Sequence, residues 1–345
     1  MKTIGHILLL DSLGGVENWY IDLAKNGFFK EEKHIIYGVG KEINQLVVTS
    51  LKKHVDVIHL TPLSFLQLHR KTKLDVIHYH AYYRGTTILL FFNFFSKAKI
   101  ITHNHSAATS SVKNWKYKII IYLLGRLIRF CTDKKVAVSK NAAIDLFKST
   151  KGVTILPCIL SSYSTSIKRQ KDKSNTLQLL HIGRIFNSNY FEDAKNQSFI
   201  IDVLYWLKTY NFNFNMCFCG TGSLSNLKKK ISFLGLNSSN ICFINKVDVF
   251  EQLSKTDVFL FPSKHEGYGM AVVEAQLSGV DCIVSENIPE EAILSAEKVL
   301  KLPTSIDDAL LWAKAIIKTK IDAPKHELTQ PNYHEHLSRV KSLYI

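Results

Sequence analysis

A chain of 345 residues exceeds what one ordinary core accommodates, so two domains are expected. Apolar residues make up 46%, aromatic residues 11% and charged residues 21%, which excludes a disordered chain, a collagen and a coiled coil. Lys and Arg number 44 against 29 Asp and Glu, a formal net charge of +15. That excess calls for an anionic partner: nucleic acid, an anionic lipid surface or a phosphorylated substrate.

Short apolar runs ending in polar or glycine turns alternate with helical stretches. Residues 4–11 read as a buried first strand; the run stops at Asp11 and lacks the small-residue cleavage site of a secretion signal. A glycine turn and an amphipathic helix over 16–25 follow, then strands at 34–39, 55–60, 76–80, 99–103 and 135–139. The longest apolar stretches, 87–95 and 119–131, fall short of the roughly 18 residues a membrane span requires. Residues 161–175 are polar and read as a linker. The alternation then restarts, with strands at 177–182, 214–219, 240–244, 258–261 and 281–285 and helices at 197–207 and 224–234. Residues 332–345 form a terminal helix. Strands separated by helices predict an α/β fold of two Rossmann-like, doubly wound domains, with a ligand cleft at the carboxyl ends of the strands. Cysteines 131, 158, 217, 219, 242 and 282 lie in apolar runs without zinc-finger spacing and read as buried free thiols.

The most informative segment runs from Pro262 to Gly279. A strand ends at Phe261, Glu266-Gly267-Tyr268-Gly269 form a loop, and a helix opens near Met270. Glycines let backbone N–H groups approach a ligand closely, and a helix start favours anionic oxygens. Glu274 lies about a turn inside that helix, where a carboxylate can accept from a ribose diol. Either glutamate alone reads as a cap or a solvated face residue; the whole string is too particular for that.

The Glu266-x7-Glu274 pattern, after Pro262-Ser263 and before Ala275-Gln276, resembles the retaining GT-B glycosyltransferases of family four, especially the bacterial exopolysaccharide and capsule branch. The resemblance implies a GT-B fold, with 1–165 an acceptor-binding domain and 166–331 a nucleotide-sugar-binding domain. For 332–345, packing back on the first domain is one option. It assigns Gly14 and Gly15 to the donor diphosphate and acceptor, and Arg184 and Lys195 to the diphosphate. Two fixed cations stabilise a departing nucleoside diphosphate as its negative charge grows. Cys219-Gly220-Thr221-Gly222 is similar to the family's second glycine turn, and Val247 falls where the backbone reads the base. Glu266 would orient the donor sugar without acting as a covalent nucleophile. His105 is favoured beside the sugar, with His103 as the near alternative; His80 and Ser139 fall in the acceptor region. No Asp-x-Asp follows an apolar strand, so no metal and no cofactor are expected. Pro157-Cys158-Ile159-Leu160-Ser161 departs from the family's usual hinge sequence.

Lys113, Lys116, Lys118, Arg126 and Arg129 surround Trp115, Tyr117, Tyr122, Leu123, Leu124 and Phe130. A helix here suits an anionic leaflet, whereas the basic residues form no recognised nucleic-acid motif, so nucleic acid is not expected as a partner. The expected function is transfer of a sugar, with retention, from a UDP-linked donor to a growing glycan. The acceptor implied by the resemblance is polyprenyl-diphosphate-linked, handled in the cytoplasm at the inner face of the membrane. A GT-B sugar-nucleotide epimerase is the alternative.

Overall fold

The computed structural model describes residues 1–11, 14–40, 43–60, 73–80, 97–107, 112, 114–164, 176–185, 193–245, 248–321 and 330–345. Two compact units result: Met1–Thr109, Trp115–Ser164 and Pro331–Ile345 form the first, Ser110–Asn114 and Thr165–Gln330 the second.

The first unit is built on β1 (Thr3–Leu9), β2 (Lys33–Val39), β3 (Asp56–His59), β4 (Val76–His80), β5 (Lys99–Asn104), β6 (Lys134–Ala137) and β7 (Val153–Ile155). They form one sheet in the order β3-β2-β1-β4-β5-β6-β7, with parallel pairing. Helices α1 (Gly15–Lys25), α2 (Gln45–Lys52), α3 (Trp115–Phe130) and α4 (Lys140–Phe147) connect them. Central strands of such a sheet are covered on both faces and usually read as continuous apolar runs. β4 is buried at all five positions, yet two of those are histidines. The register pairs His6 with His78 and His80 with His103, placing these side chains on one face.

The second unit repeats the scheme with β8 (Leu177–Ile182), β9 (Phe214–Cys219), β10 (Ile241–Ile244), β11 (Val258–Phe261), β12 (Asp281–Ser285) and β13 (Val299–Leu302). Their order is β10-β9-β8-β11-β12-β13, again parallel. The helices are α5 (Gln197–Thr209), α6 (Ser225–Phe233), α7 (Val249–Ser254), α8 (Met270–Leu277) and α9 (Ala309–Ile321). Phe199, Val203 and Leu207 of α5 and Trp312 of α9 pack with Phe218, Leu260 and Ile283 of the sheet in one buried cluster. Strand order reverses between β8 and β11, and such a switch point opens a crevice at the carboxyl ends of the two strands.

Helix α10 (Tyr333–Lys341) belongs to the first unit. Trp19 Nε1 donates to His336 Nε2 at 2.9 Å, Lys2 Nζ to the Tyr344 carbonyl at 2.7 Å, and Lys134 Nζ to the Ser342 carbonyl at 3.1 Å.

Several elements differ from expectation. β7 and β13, three and four residues long, are edge strands that are only partly buried, so they do not stand out as apolar runs. Residues Ser161–Ser164 open the expected linker, yet form a 3-10 turn whose Ser161 bonds the Asp22 carboxylate through both N–H and hydroxyl. The rest of that stretch, and the apolar run at 87–95, lie outside the described residues. Cys131, Cys158, Cys219 and Cys282 are buried, whereas Cys217 is half-buried and Cys242 exposed. The last two are register partners, and β10 is an edge strand. Helix α3 is no ordinary amphipathic packing helix: Gly125 and Ile128 are its buried residues, while Trp115 is 66% and Phe130 73% exposed. Lys113 lies outside the described residues. Among those residues, no helix is long and apolar enough to cross a membrane.

Candidate functional site

The best-formed polar constellation sits at the switch point of the second sheet. β8 ends at Ile182 and the chain turns through Gly183 and Arg184; Gly183 N–H donates to the Cys219 carbonyl at 2.9 Å, extending the parallel ladder past the strands. Gly220 holds the neighbouring turn at φ +152°, and a Cβ there would lie 2.1 Å from the Gly183 carbonyl oxygen. Only glycine permits that approach. Gln197 at the start of α5 donates to the Arg184 carbonyl at 3.0 Å, so the turn is pinned from both sides while Arg184 itself is exposed.

Lys195 comes from the loop before α5. Asp193 Oδ1 accepts from the N–H groups of Lys195 at 3.2 Å and Asn196 at 3.1 Å, shaping a tight turn with Asn196 left-handed at φ 56°. Burial pushes the Asp193 carboxyl up, partly offset by those N–H groups. Lys264 N–H donates to the Ala194 carbonyl at 2.8 Å, tying this loop to the one after β11. The Lys195 ammonium then bonds Glu266 Oε1 and lies 4.9 Å from the centre of the Phe261 ring. Ser263 Oγ donates to the same carboxylate oxygen at 2.7 Å. Glu266 keeps only 11% side-chain exposure against 27% for Lys195, so the carboxylate is largely withdrawn from water beside a more accessible cation.

Gly267, Tyr268 and Gly269 are buried, and Gly269 caps α8 at φ 100° without a side-chain cap. Met270 and Glu274 are half-buried on that helix. Gln276 stiffens its far side, donating to the carbonyls of Val272 and Ala292 and accepting from the N–H groups of Leu294 and Ser295. His181 donates through Nδ1 to the Leu260 carbonyl at 2.8 Å, and burial holds its pKa down at about 4. It crosslinks β8 and β11 as a neutral ring.

Of the residues expected in the second unit, the structure thus brings Lys195 and Glu266 into contact, with Gly183-Arg184 beside them: a Cβ on Gly183 would lie 3.3 Å from Lys195 Cγ. Val247 lies outside the described residues. Ser263, Asp193 and Phe261 carried no assigned role in the sequence. Ser263 stood inside the quoted string, whereas nothing local marked the Phe261 ring as a partner for a lysine.

The first-unit candidates fall into a different setting. Gly14 caps α1, its N–H donating to Glu17 Oε2 at 2.9 Å, and Gly15 opens that helix. The Gly14 amide is therefore engaged by the first turn of the helix it caps. Ser139 is fully buried and caps α4 by accepting from Ala142 N–H at 3.0 Å. His80 and His103 are fully buried, while His105, one residue beyond β5, is half-buried and bonds His80 Nδ1 at 2.8 Å. Exposure separates His105 from His103, which the sequence register did not.

Residues 176–319 match the family model described as Glycosyl transferases group 1. The chain is 25% identical to EpsF of Bacillus subtilis (strain 168) over 66% of its own length and 61% of that protein, so it spans under two thirds of that relative. It is 28% identical to the capsular polysaccharide biosynthesis glycosyltransferase CapH of Staphylococcus aureus, covering 85% and 83% of the two chains. It is 22% identical to the UDP-Gal:alpha-D-GlcNAc-diphosphoundecaprenol alpha-1,3-galactosyltransferase of Escherichia coli, covering 99% and 96%. Among solved structures, Anabaena Alr3699/HepE in complex with UDP and glucose is similar at a TM-score of 0.70 and 14% identity, covering 93% and 90%. The epimerase alternative is not what this family model or these relatives describe. The family-model match over 176–319, a fold shared with GT-B structures and a similarity spanning 85% of the chain to a capsule-biosynthesis glycosyltransferase all point the same way.

Proposed function

We propose that the chain transfers a sugar, with retention, from a UDP-linked donor to a growing glycan carried on a polyprenyl diphosphate. The observation that carries this reading is the Lys195–Glu266–Ser263 constellation, set where strand order reverses and just before a glycine-started helix. A donor diphosphate entering there meets Lys195, whose side chain lies against Gly183, and the exposed Arg184 of the same turn. As the bond to the sugar breaks, charge builds on the leaving diphosphate, and fixed cations in a partly dehydrated site stabilise it more than water does. A divalent ion is not needed for that role. Glu266, held by Lys195 and Ser263, presents its carboxylate to donor sugar hydroxyls, and Glu274 serves the ribose. His105 serves the acceptor. Donor and acceptor class are supported by the Escherichia coli relative, whose name states a UDP-galactose donor and a diphosphoundecaprenol acceptor.

The reading includes attachment to an anionic inner leaflet through α3. Besides Trp115 and Phe130, Ile119, Tyr122 and Leu123 are each about half exposed, and Lys116, Lys118 and Arg126 are exposed among them. An apolar patch rimmed by cations is the composition an anionic interface favours.

The test is Glu266→Gln, which keeps shape and removes charge. Transfer from UDP-sugars to a polyprenyl-diphosphate acceptor is expected to fall on the order of 100-fold to 1,000-fold, while UDP affinity changes by less than about 1 kcal/mol. Transfer at the wild-type rate would remove Glu266 from the mechanism.

A further inference from the structure

The first sheet holds a histidine cluster, two of its rings fully buried and His105 half-buried, whose side-chain arrangement the proposed transfer does not by itself explain. His80, His103 and His105 each offer one ring nitrogen within 4.8 Å of the others. The outer contacts of each ring decide which nitrogen is left to ligate. His103 Nε2 lies 3.3 Å from the Leu156 carbonyl, which can only accept, so Nε2 carries the proton and Nδ1 is a bare lone pair. That Nδ1 is buried and has no hydrogen-bond partner among the described residues. His80 Nε2 bonds the Tyr20 hydroxyl and His105 Nδ1 meets Cys158 Sγ at 3.6 Å. His80 Nδ1 and His105 Nε2 are left, and they face each other at 2.8 Å.

We propose that His80 Nδ1, His103 Nδ1 and His105 Nε2 form a binding site for one transition-metal cation of the Zn²⁺ class. Three imidazoles suit such ions. Each ring is oriented by an outer partner, a backbone carbonyl, a hydroxyl and a thiol, which is how metal-bound histidines are usually held. A tetrahedral ion with bonds of about 2.0–2.1 Å sets its nitrogens roughly 3.3 Å apart, so the His80–His105 contact opens by about half an ångström. The proton between them moves to an outer nitrogen, where the Tyr20 oxygen or the Cys158 sulfur accepts it. His105 is half-buried, which leaves a fourth position for water. A second trio, His6, His78 and His80, is also close enough, but His6 already uses both nitrogens, on Tyr20 and on His34.

The test uses full-length, untagged protein, freed of metal and titrated with Co²⁺ alone. One Co²⁺ per chain, with visible d–d absorption lost on adding Zn²⁺, is expected. His103→Gln retains an N–H for the Leu156 carbonyl and loses the ligand, so affinity should fall at least about tenfold; His54→Gln, an exposed control, should bind as wild type. No stoichiometric Co²⁺ binding by the wild type, or equal binding by His103→Gln, overturns the site. A second readout needs no variant: in wild-type protein with ¹⁵N-labelled imidazoles, Zn²⁺ must shift ring nitrogens of three histidines, and fewer than three overturns it. Zn²⁺ occupancy should also inhibit transfer in parallel by tying up His105. That last arm rests on the proposed function; the binding arms do not, so either can fail alone.

Discussion

Gly220→Ala probes how the donor turn is built. Gly220 sits at φ +152°, and its N–H donates to the Ile244 carbonyl at 2.9 Å. An added Cβ would lie 2.1 Å from the Gly183 carbonyl oxygen and 2.8 Å from its carbon. Ordinary contact begins near 3.4 Å, so the backbone must part by more than an ångström. The strained dihedral costs about 1–3 kcal/mol, the overlap about 1–3 kcal/mol, and a weakened Ile244 hydrogen bond about 1 kcal/mol. A total of about 5 kcal/mol lowers the melting of a unit of this size by about 10–20 °C. Gly235→Ala is the control in the same unit: φ is +60°, but the nearest atom is the flexible tip of Lys208 at 3.5 Å. Its cost is about 1–2 kcal/mol. Calorimetry of the intact protein gives both values, and UDP titration should show affinity falling about tenfold or more in Gly220→Ala, because the displaced partner is the Gly183–Arg184 turn. If Gly220→Ala melts with Gly235→Ala and binds UDP normally, close approach at this turn is not what holds it.

Acid should unfold the first unit before the second. Burial holds His6, His34, His78, His80, His103, His105 and His336 below the ordinary histidine value, about 4 for His34 and His336 and about 3 for His103. The unfolded chain binds protons first, so stability present above about pH 6.5 is lost as pH falls toward 4. Each such group forfeits up to about 2 kcal/mol at pH 5, and a few together rival the stability of a domain. Tryptophan fluorescence against pH checks this; a first unit still folded at pH 4.5 contradicts it. On membranes, Lys116, Lys118 and Arg126 supply about 1 kcal/mol each near an anionic surface. Reversing all three to Glu should abolish co-sedimentation with anionic vesicles, and equal binding to zwitterionic vesicles by the wild type would refute the electrostatic attachment.

The fold was legible because parallel strands buried on both faces read as apolar runs, as at 177–182 and 258–261, and because helices between them kept their own period. What was lost were short edge strands that are not buried throughout and so do not read as apolar runs, Val153–Ile155 and Val299–Leu302. Within the site, Glu266, Lys195 and the glycine turns carry local signatures, since positive φ and a helix start demand particular residues. The Phe261 ring under Lys195 and the Asp193 turn depend on which strands are neighbours, and sheet order is not written locally. The histidine cluster illustrates the same limit: 78, 80, 103 and 105 are visible as alternating positions, but only the registers of β1 on β4 and of β4 on β5 bring them together with His6 and its partner Tyr20.

The anomeric configuration of the product addresses catalysis most directly. Incubating the full chain with a panel of α-configured UDP-sugars and a polyprenyl-diphosphate-linked saccharide, and resolving the products by NMR, should reveal a new α-glycosidic bond with release of UDP. A β-linked product, or a nucleotide sugar isomerised with nothing attached to the lipid-linked saccharide, would contradict retaining transfer.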